Sequence, residues 1–510
     1  MGIQSMPSSS PVHLKISSTA KMNPSWARSK KDKITIFFKS RISYHTCYCQ
    51  WQREQKTLLG GKLSASKTDK VLPHLKERRI KGHEKRGTIT GAIALIIGTS
   101  IGSGILMLPK KTSPAGLFPS SICMIVCWGF LLIEALLLVE INVSLLRKKR
   151  KKVEENDLAV ISIRTMAQET LGEWGGTLAT AAYIFLGYTS VIAYCSKSGE
   201  ILFHLFNLPA SLSCILFTAF FTTLISIGGT RVTDQVNQWL TASVIGLLLG
   251  IEALAVASGG WSGLGGSSNW GKAPDTVPVI IFALVYHDIA PVICAYLEGD
   301  LKRIRASVLL GSIIPLLAML IWDAIALGLS AQADQVQVAD PVELLMRVRW
   351  NGISFMVEAF SLLALGTSLI GTLLSFSQFF KEQLNNLSWH SPPSQSSQER
   401  NKTFGLREWW RQNKVGFTAT AVVVVPSLVV STTVPEAFSA ATDIAGGYCM
   451  TLLYGVLPPA MAWTMSNRDS NNADDENALS RARPALLGVG LFACGIVFEQ
   501  ILQGLSLFHP

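Results

Sequence analysis

The sequence predicts an all-α polytopic membrane protein. About eleven transmembrane helices are expected, arranged as two inverted five-helix repeats with one helix added. Three observations carry that expectation. Only 15% of the 510 residues are charged and the mean hydropathy is +0.34, whereas a soluble domain carries about 25% charge. From Gly87 onward, apolar runs long enough to cross a hydrocarbon core, about 17–25 residues, follow one another. The first and sixth of these runs are interrupted at corresponding places.

The chain opens on a polar leader, about 1–85, ahead of an expected transporter domain spanning 86–510. Nineteen Lys and Arg stand against five Asp and Glu between Met1 and Arg86, so the remainder holds 26 against 29 and the net charge of +11 belongs to the leader. A nucleic-acid partner is therefore not expected. The leader is rich in Ser, Lys and Arg, poor in acids, and lacks the apolar core of a secretory signal. That is the composition of an organellar transit peptide, with a cytosolic tail as the alternative. The nine cysteines are scattered, mostly within apolar runs where a thiol acts as a small hydrophobe, and imply no disulfide framework.

The runs are Gly87–Leu108, Gly116–Leu146, Trp174–Ser196, Pro209–Gly228, Val236–Ala257 and Val277–Leu297. They continue with Ala306–Leu329, Ile353–Phe380, Val415–Ser431, Glu436–Trp463 and Pro484–Phe508. The first repeat then covers about 87–257, the second about 277–463, and the extra helix about 484–508. If the leader side is called inside, inside loops carry the run Arg147 to Lys152, then Arg231, Lys302, Arg303 and Arg305, and later Lys381, Arg407, Arg411, Lys414, Arg468, Arg481 and Arg483. Outside loops carry Lys110, Lys111, Lys197, Lys272, Arg347 and Arg349. This is the positive-inside pattern, and the Arg147–Lys152 run reads as a topology determinant in contact with lipid headgroups.

The first run contains Gly98-Thr99-Ser100-Ile101-Gly102-Ser103-Gly104. Three glycines and three hydroxyl residues in seven positions make a poor continuous helix, and a bilayer accepts open backbone only where protein or a polar cavity satisfies it. Amides of Ser103 and Gly104 at a half-helix N-terminus suit a carboxylate, and the carbonyl of Ser100 suits an ammonium group or a cation. The Gly98–Gly102 pair equally suits close helix packing. The sixth run contains Leu284-Val285-Tyr286-His287-Asp288-Ile289-Ala290-Pro291. Adjacent His and Asp inside an apolar span face a cavity or a partner, and Pro291 removes a backbone donor. Matching breaks in two halves point to an inverted-repeat transporter.

The segment from Gly98 to Leu106 resembles the first-span signature of the aromatic amino acid permease (tryptophan/tyrosine permease) family. Tyr286-His287, Leu297-Glu298-Gly299-Asp300 with Lys302, and Ile321-Trp322-Asp323-Ala324 are similar to its sixth and seventh spans, and Ala193-Tyr194 with Ser196 and Gly199 to its third. The likeness covers roughly Arg86 to Phe508 and is nearest to plant members with plastid-targeting leaders. It implies the amino acid permease superfamily fold with broken first and sixth helices, an amino acid substrate such as tyrosine or tryptophan, and symport with H+ or Na+. It also implies a plastid inner envelope location with the N-terminus in the stroma. Asp288 departs from the small or polar residue that bacterial members carry after the histidine, which leaves their coupling scheme open here.

On these grounds the expected substrate contacts are Ser100, Ile101, Gly102, Ser103, Gly104, Tyr188, Leu284, Tyr286 and His287. The candidates for proton or ion coupling are His287, Asp288, Glu134, Asp323, Thr367 and Ser368. Thr367-Ser368 in the eighth span is the hydroxyl pair that the superfamily resemblance sets against first-span carbonyls around a sodium ion. No cofactor beyond the coupling ion is implied, and the partners expected are the amino acid and membrane lipid. No H-E-x-x-H, P-loop or paired-Asp motif is present, and neighbouring residues on a helix such as His287 and Asp288 do not face each other, so an enzyme is not expected. A carrier of another small solute, such as a polyamine or nucleobase, uses similar broken helices. A channel would need a filter or pore ring that the sequence lacks.

Overall fold

The computed structural model describes residues 87–152, 161–257, 268–332, 353–388, 406–434, 437–469 and 483–506. The leader therefore lies outside the described residues. Among them, ten helices are long and apolar enough to cross a membrane, and an eleventh crossing is a bent pair.

That pair is α1 (Ile89–Ser100) and α2 (Gly104–Thr112), which meet at 56°. Thr88 caps α1 by accepting the Gly91 N–H, and Ile101 ends it in an extended conformation. Two long helices follow, α3 (Leu117–Lys152) and α5 (Glu173–Phe206), separated by the short amphipathic α4 (Ile163–Leu171). The run α6 (Ala210–Ala257) holds the fourth and fifth spans, Ala210–Gly228 and Val232–Ala257.

The sixth span is broken as well. α7 (Val277–Leu284) gives way to extended backbone at Val285, then a single tight turn over His287–Ile289, then α8 (Ala290–Tyr296). Pro291 cannot donate to the carbonyl of His287 four residues back, and the Ala290 N–H fills that carbonyl instead. Then come α9 (Leu301–Gln332), α10 (Ile353–Ser388) and α11 (Leu406–Thr433). The tenth span begins as α12 (Ala437–Ile444), widens into π-helical turns over Ala445–Val456, and ends as α13 (Leu457–Asp469). α14 (Arg483–Ser506) closes the chain.

Burial separates centre from periphery. In the most apolar stretch of the sixth and tenth spans 72% of residues are buried within the protein, against 22% in the fourth and eleventh. The outer helices carry Phe220, Ile227, Trp239, Leu491 and Phe498 fully outward, the apolar girdle a bilayer requires. At the centre, Gly446 in the π-helical stretch lies so close to α7 that a Cβ there would collide with the Pro278 carbonyl oxygen. Each repeat contains five spans, an odd number, so the broken first and sixth spans cross in opposite directions. The architecture is the inverted-repeat one, with both breaks brought to the same depth.

Candidate functional site

A cavity of about 470 Å³ lies at the two breaks, within the range of small-ligand sites, about 300–1,000 Å³. Ser100, Ile101, Gly102, Ser103 and Gly104 line it from the first span, Val285 and Asp288 from the sixth, and Thr367 and Ser368 from α10. The break in the first span is pinned by α10: the Ser103 N–H donates to Ser368 Oγ (3.1 Å). A side chain on Gly102 would meet the same oxygen at 2.9 Å. Ser103 therefore gives its amide to the protein. Thr367 Oγ1 donates to the Ala364 carbonyl of its own helix (3.0 Å). The Ser100 hydroxyl is buried with no partner among the described residues.

The six other residues expected at the site do not line this cavity. Extended backbone at Val285 sends successive side chains to opposite sides, so Val285 faces the cavity and Tyr286 faces away. His287 is buried, with Nε2 donating to the Leu131 carbonyl of α3 (2.9 Å) and its ring packed between Tyr286 and Tyr454. Asp288, one residue on, is exposed into the cavity. Leu284 is buried at the end of α7. Tyr188 donates its hydroxyl to the Val422 carbonyl of α11 (3.0 Å) and packs on Phe376 and Phe380. Glu134 is buried on α3 with both carboxyl oxygens lacking a partner among the described residues. Asp323 is buried beside the outer half-helix α2.

Further residues of two helices complete the walls. Tyr183, Gly187, Ser190 and Tyr194 fall on one face of α5, and Ser368, Gly371, Thr372 and Ser375 on one face of α10. Both sets recur at three- and four-residue spacing, the helical period that could have revealed them. Phe282, Phe376, Met450, Leu453 and Tyr454 add an apolar and aromatic surface, with the Tyr194 and Phe282 ring centres 6.4 Å apart. Toward the inside the cavity extends to Arg164 of α4, Thr180 of α5 and Asn237 of α6. Burial lowers the Arg164 guanidinium from its ordinary pKa, with the Glu173 charge opposing the shift. Toward the outside, Lys111 of α2 pairs with Asp443 of α12 (2.5 Å).

Two broken helices around a cavity within the spans are the arrangement of a membrane permease. The chain belongs to the tryptophan/tyrosine permease family, whose profile matches residues 85–478. It is 27% identical over 395 residues to tyrosine-specific transport system 1 of Haemophilus influenzae, across 75% of this chain and 89% of that protein. It is 24% identical over 308 residues to glutamine transporter 2 of Aliivibrio fischeri, across 58% of this chain and 76% of that one. Among solved structures, MhsT in complex with L-phenylalanine superposes with a TM-score of 0.53 at 14% identity, covering 81% of this chain and 97% of that one. That likeness concerns the fold.

Proposed function

We propose that this permease is a secondary active transporter carrying an aromatic amino acid, tyrosine or tryptophan, in symport with H+ or Na+. The observation that carries the reading is the composition of the cavity, where broken backbone meets an aromatic wall. The start of α2 presents the positive end of a helix dipole to a carboxylate. The end of α1 presents carbonyl oxygen to an ammonium group. Tyr194, Phe282, Phe376 and Tyr454 offer an aromatic side chain offset and edge-on contacts worth about 0.5–1.5 kcal/mol per ring pair beyond area burial. The Haemophilus relative is named for tyrosine and the family for tryptophan and tyrosine, which supports the same substrate class. Thr367 and Ser368 beside the first-span break suit a sodium ion, whereas Asp288, His287, Glu134 and Asp323 are the groups able to hold a proton.

The acid-poor leader supports a plastid inner envelope location with the N-terminus in the stroma, on which reading the cavity opens to the stroma. A fluorescent fusion of residues 1–85 should enter plastids and be shortened on import; diffuse cytosolic fluorescence would overturn that location. Substrate and driving ion are tested with purified protein in liposomes under imposed pH or sodium gradients. Labelled tyrosine or tryptophan should accumulate in preference to glutamine, polyamines and nucleobases. Preference for glutamine would overturn the aromatic assignment, and uptake of a polyamine or nucleobase alone would overturn the amino acid reading.

A further inference from the structure

Two consecutive residues of the seventh span grip the outer half of the first. Pro109 inside α2 has no N–H to give to the carbonyl of Ile105, four residues earlier. That orphan carbonyl is filled from α9, where the Trp322 indole N–H donates to it (3.2 Å). Asp323, the next residue, meets Thr112 at the end of α2: Oδ1 lies 2.6 Å from Thr112 Oγ1, and Oδ2 lies 3.2 Å from Ser120 Oγ at the start of α3. Trp322 and Asp323 are both fully buried.

Counting hydrogens shows what this arrangement binds. Each hydroxyl has one hydrogen to donate. Thr112 Oγ1 has the Leu108 carbonyl at 2.9 Å and the Pro109 carbonyl at 3.3 Å as well as Asp323, and Ser120 Oγ has the Leu117 carbonyl at 3.0 Å. Carbonyls only accept. With a proton on Asp323, the carboxyl donates to Thr112 Oγ1 and Thr112 passes its own hydrogen to Leu108, so the 2.6 and 2.9 Å contacts each carry one hydrogen. Without it, Thr112 must turn its only hydrogen from the Leu108 carbonyl to a bare carboxylate.

Among the described residues no cation pairs with Asp323. On α2, Lys111 is held by Asp443 of α12. On α3, both carboxyl oxygens of buried Glu134 lack a partner among the described residues, and Glu140 pairs with Arg305 toward the inside. Glu252 of α6, Glu358 of α10 and Tyr296 of α8 form no hydrogen bond with it, and α1 and α7 carry no ionisable residue. An uncompensated buried charge costs several kcal/mol.

We propose that Asp323 is a proton-binding site that latches the outer half-helix shut, so that acidity on the outer face sets how readily the carrier closes there. The proton sits between Asp323 Oδ1 and Thr112 Oγ1 in the closed arrangement. When the outer path opens, water reaches the carboxyl and the proton exchanges with the outer solution. Closure then requires it back. This rests on the secondary active transport proposed above, with the cavity opening to each face in turn, and adds the regulation of its outer gate.

The test is substrate exchange in liposomes at equal pH on both sides, compared across pH values from mildly acid to mildly alkaline. Wild-type exchange should slow several-fold as pH rises. Asp323→Asn, whose amide donates to Thr112 and whose carbonyl accepts from Ser120 as the protonated acid does, should lose that dependence. Thr112→Val, which keeps the carboxyl and removes the oxygen bonded to it, should displace the pH profile. A wild-type profile flat with pH, or one retained unchanged in both variants, would overturn the proposal. Infrared spectra of purified protein give a second readout that needs no transport: a protonated-carboxyl band present in wild type should be missing in Asp323→Asn. Intact exchange with no such band refutes the proton site alone. The band without transport of any amino acid refutes the functional reading and leaves the site standing.

Discussion

Gly104→Ala tests how tightly the two broken helices are joined. An ideal Cβ at Gly104 would lie 2.7 Å from Ala283 Cα of α7, and 3.2 Å from both Ala283 N and Ala283 Cβ. The closest of these contacts is with backbone, so no side-chain rotation relieves it. Ordinary contact begins at 3.4 Å, so α2 and α7 must separate by roughly 0.7 Å, and overpacking of this kind costs about 1–3 kcal/mol. The separation falls where the two breaks face the cavity, so substrate affinity should drop with stability, about tenfold for each 1.4 kcal/mol. Melting of the purified protein in detergent should fall by about 2–6 °C, with substrate binding measured on the same sample. Gly129→Ala, where a Cβ meets nothing within 4 Å, is the control and should change neither. Wild-type melting and affinity in Gly104→Ala would refute the close approach of the half-helices. Lost affinity with unchanged melting would show that the missing side chain serves the ligand instead of the packing.

Three further outcomes follow from the same geometry. Ser368→Ala removes the acceptor of the Ser103 amide, a loss of about 1 kcal/mol, so substrate Kd should rise roughly fivefold; Thr367→Ala, which loses a bond only to its own helix, should change Kd less, and equilibrium binding compares the two. Trp322→Phe keeps most of the buried ring but orphans the Ile105 carbonyl, which costs about 1–3 kcal/mol, seen as earlier melting in detergent; unchanged melting would mean that the indole bond contributes nothing. His287→Gln retains a donor for the Leu131 carbonyl and leaves the cavity untouched, so counterflow exchange should proceed at the wild-type KM. A raised KM would place the imidazole in the substrate path after all.

The sequence by itself determined the membrane class, the number and approximate limits of the spans, and the two breaks. These depend on local chemistry: runs of apolar side chains, glycine and hydroxyl residues where a helix cannot be continuous, and Pro291 where a donor is missing. It also determined that Ser100 to Gly104 would belong to the cavity, because unwound backbone in a membrane has to face something polar. What it could not determine was the direction of side chains beside a break. Tyr286, His287 and Asp288 are neighbours in the chain, yet extended backbone followed by one tight turn sends the imidazole to the Leu131 carbonyl and the carboxyl to the cavity. The same limit applies to Tyr188, which shares α5 with the cavity-lining Tyr183 and Tyr194 but turns to α11, and to Gly104, whose missing side chain is explained only by the backbone of Ala283. Trp322 and Asp323 depended most on tertiary structure. In the sequence they are an indole and an acid in an apolar span, and only the packing of α9 against α2 sets them against a carbonyl that Pro109 left open and a hydroxyl more than two hundred residues away.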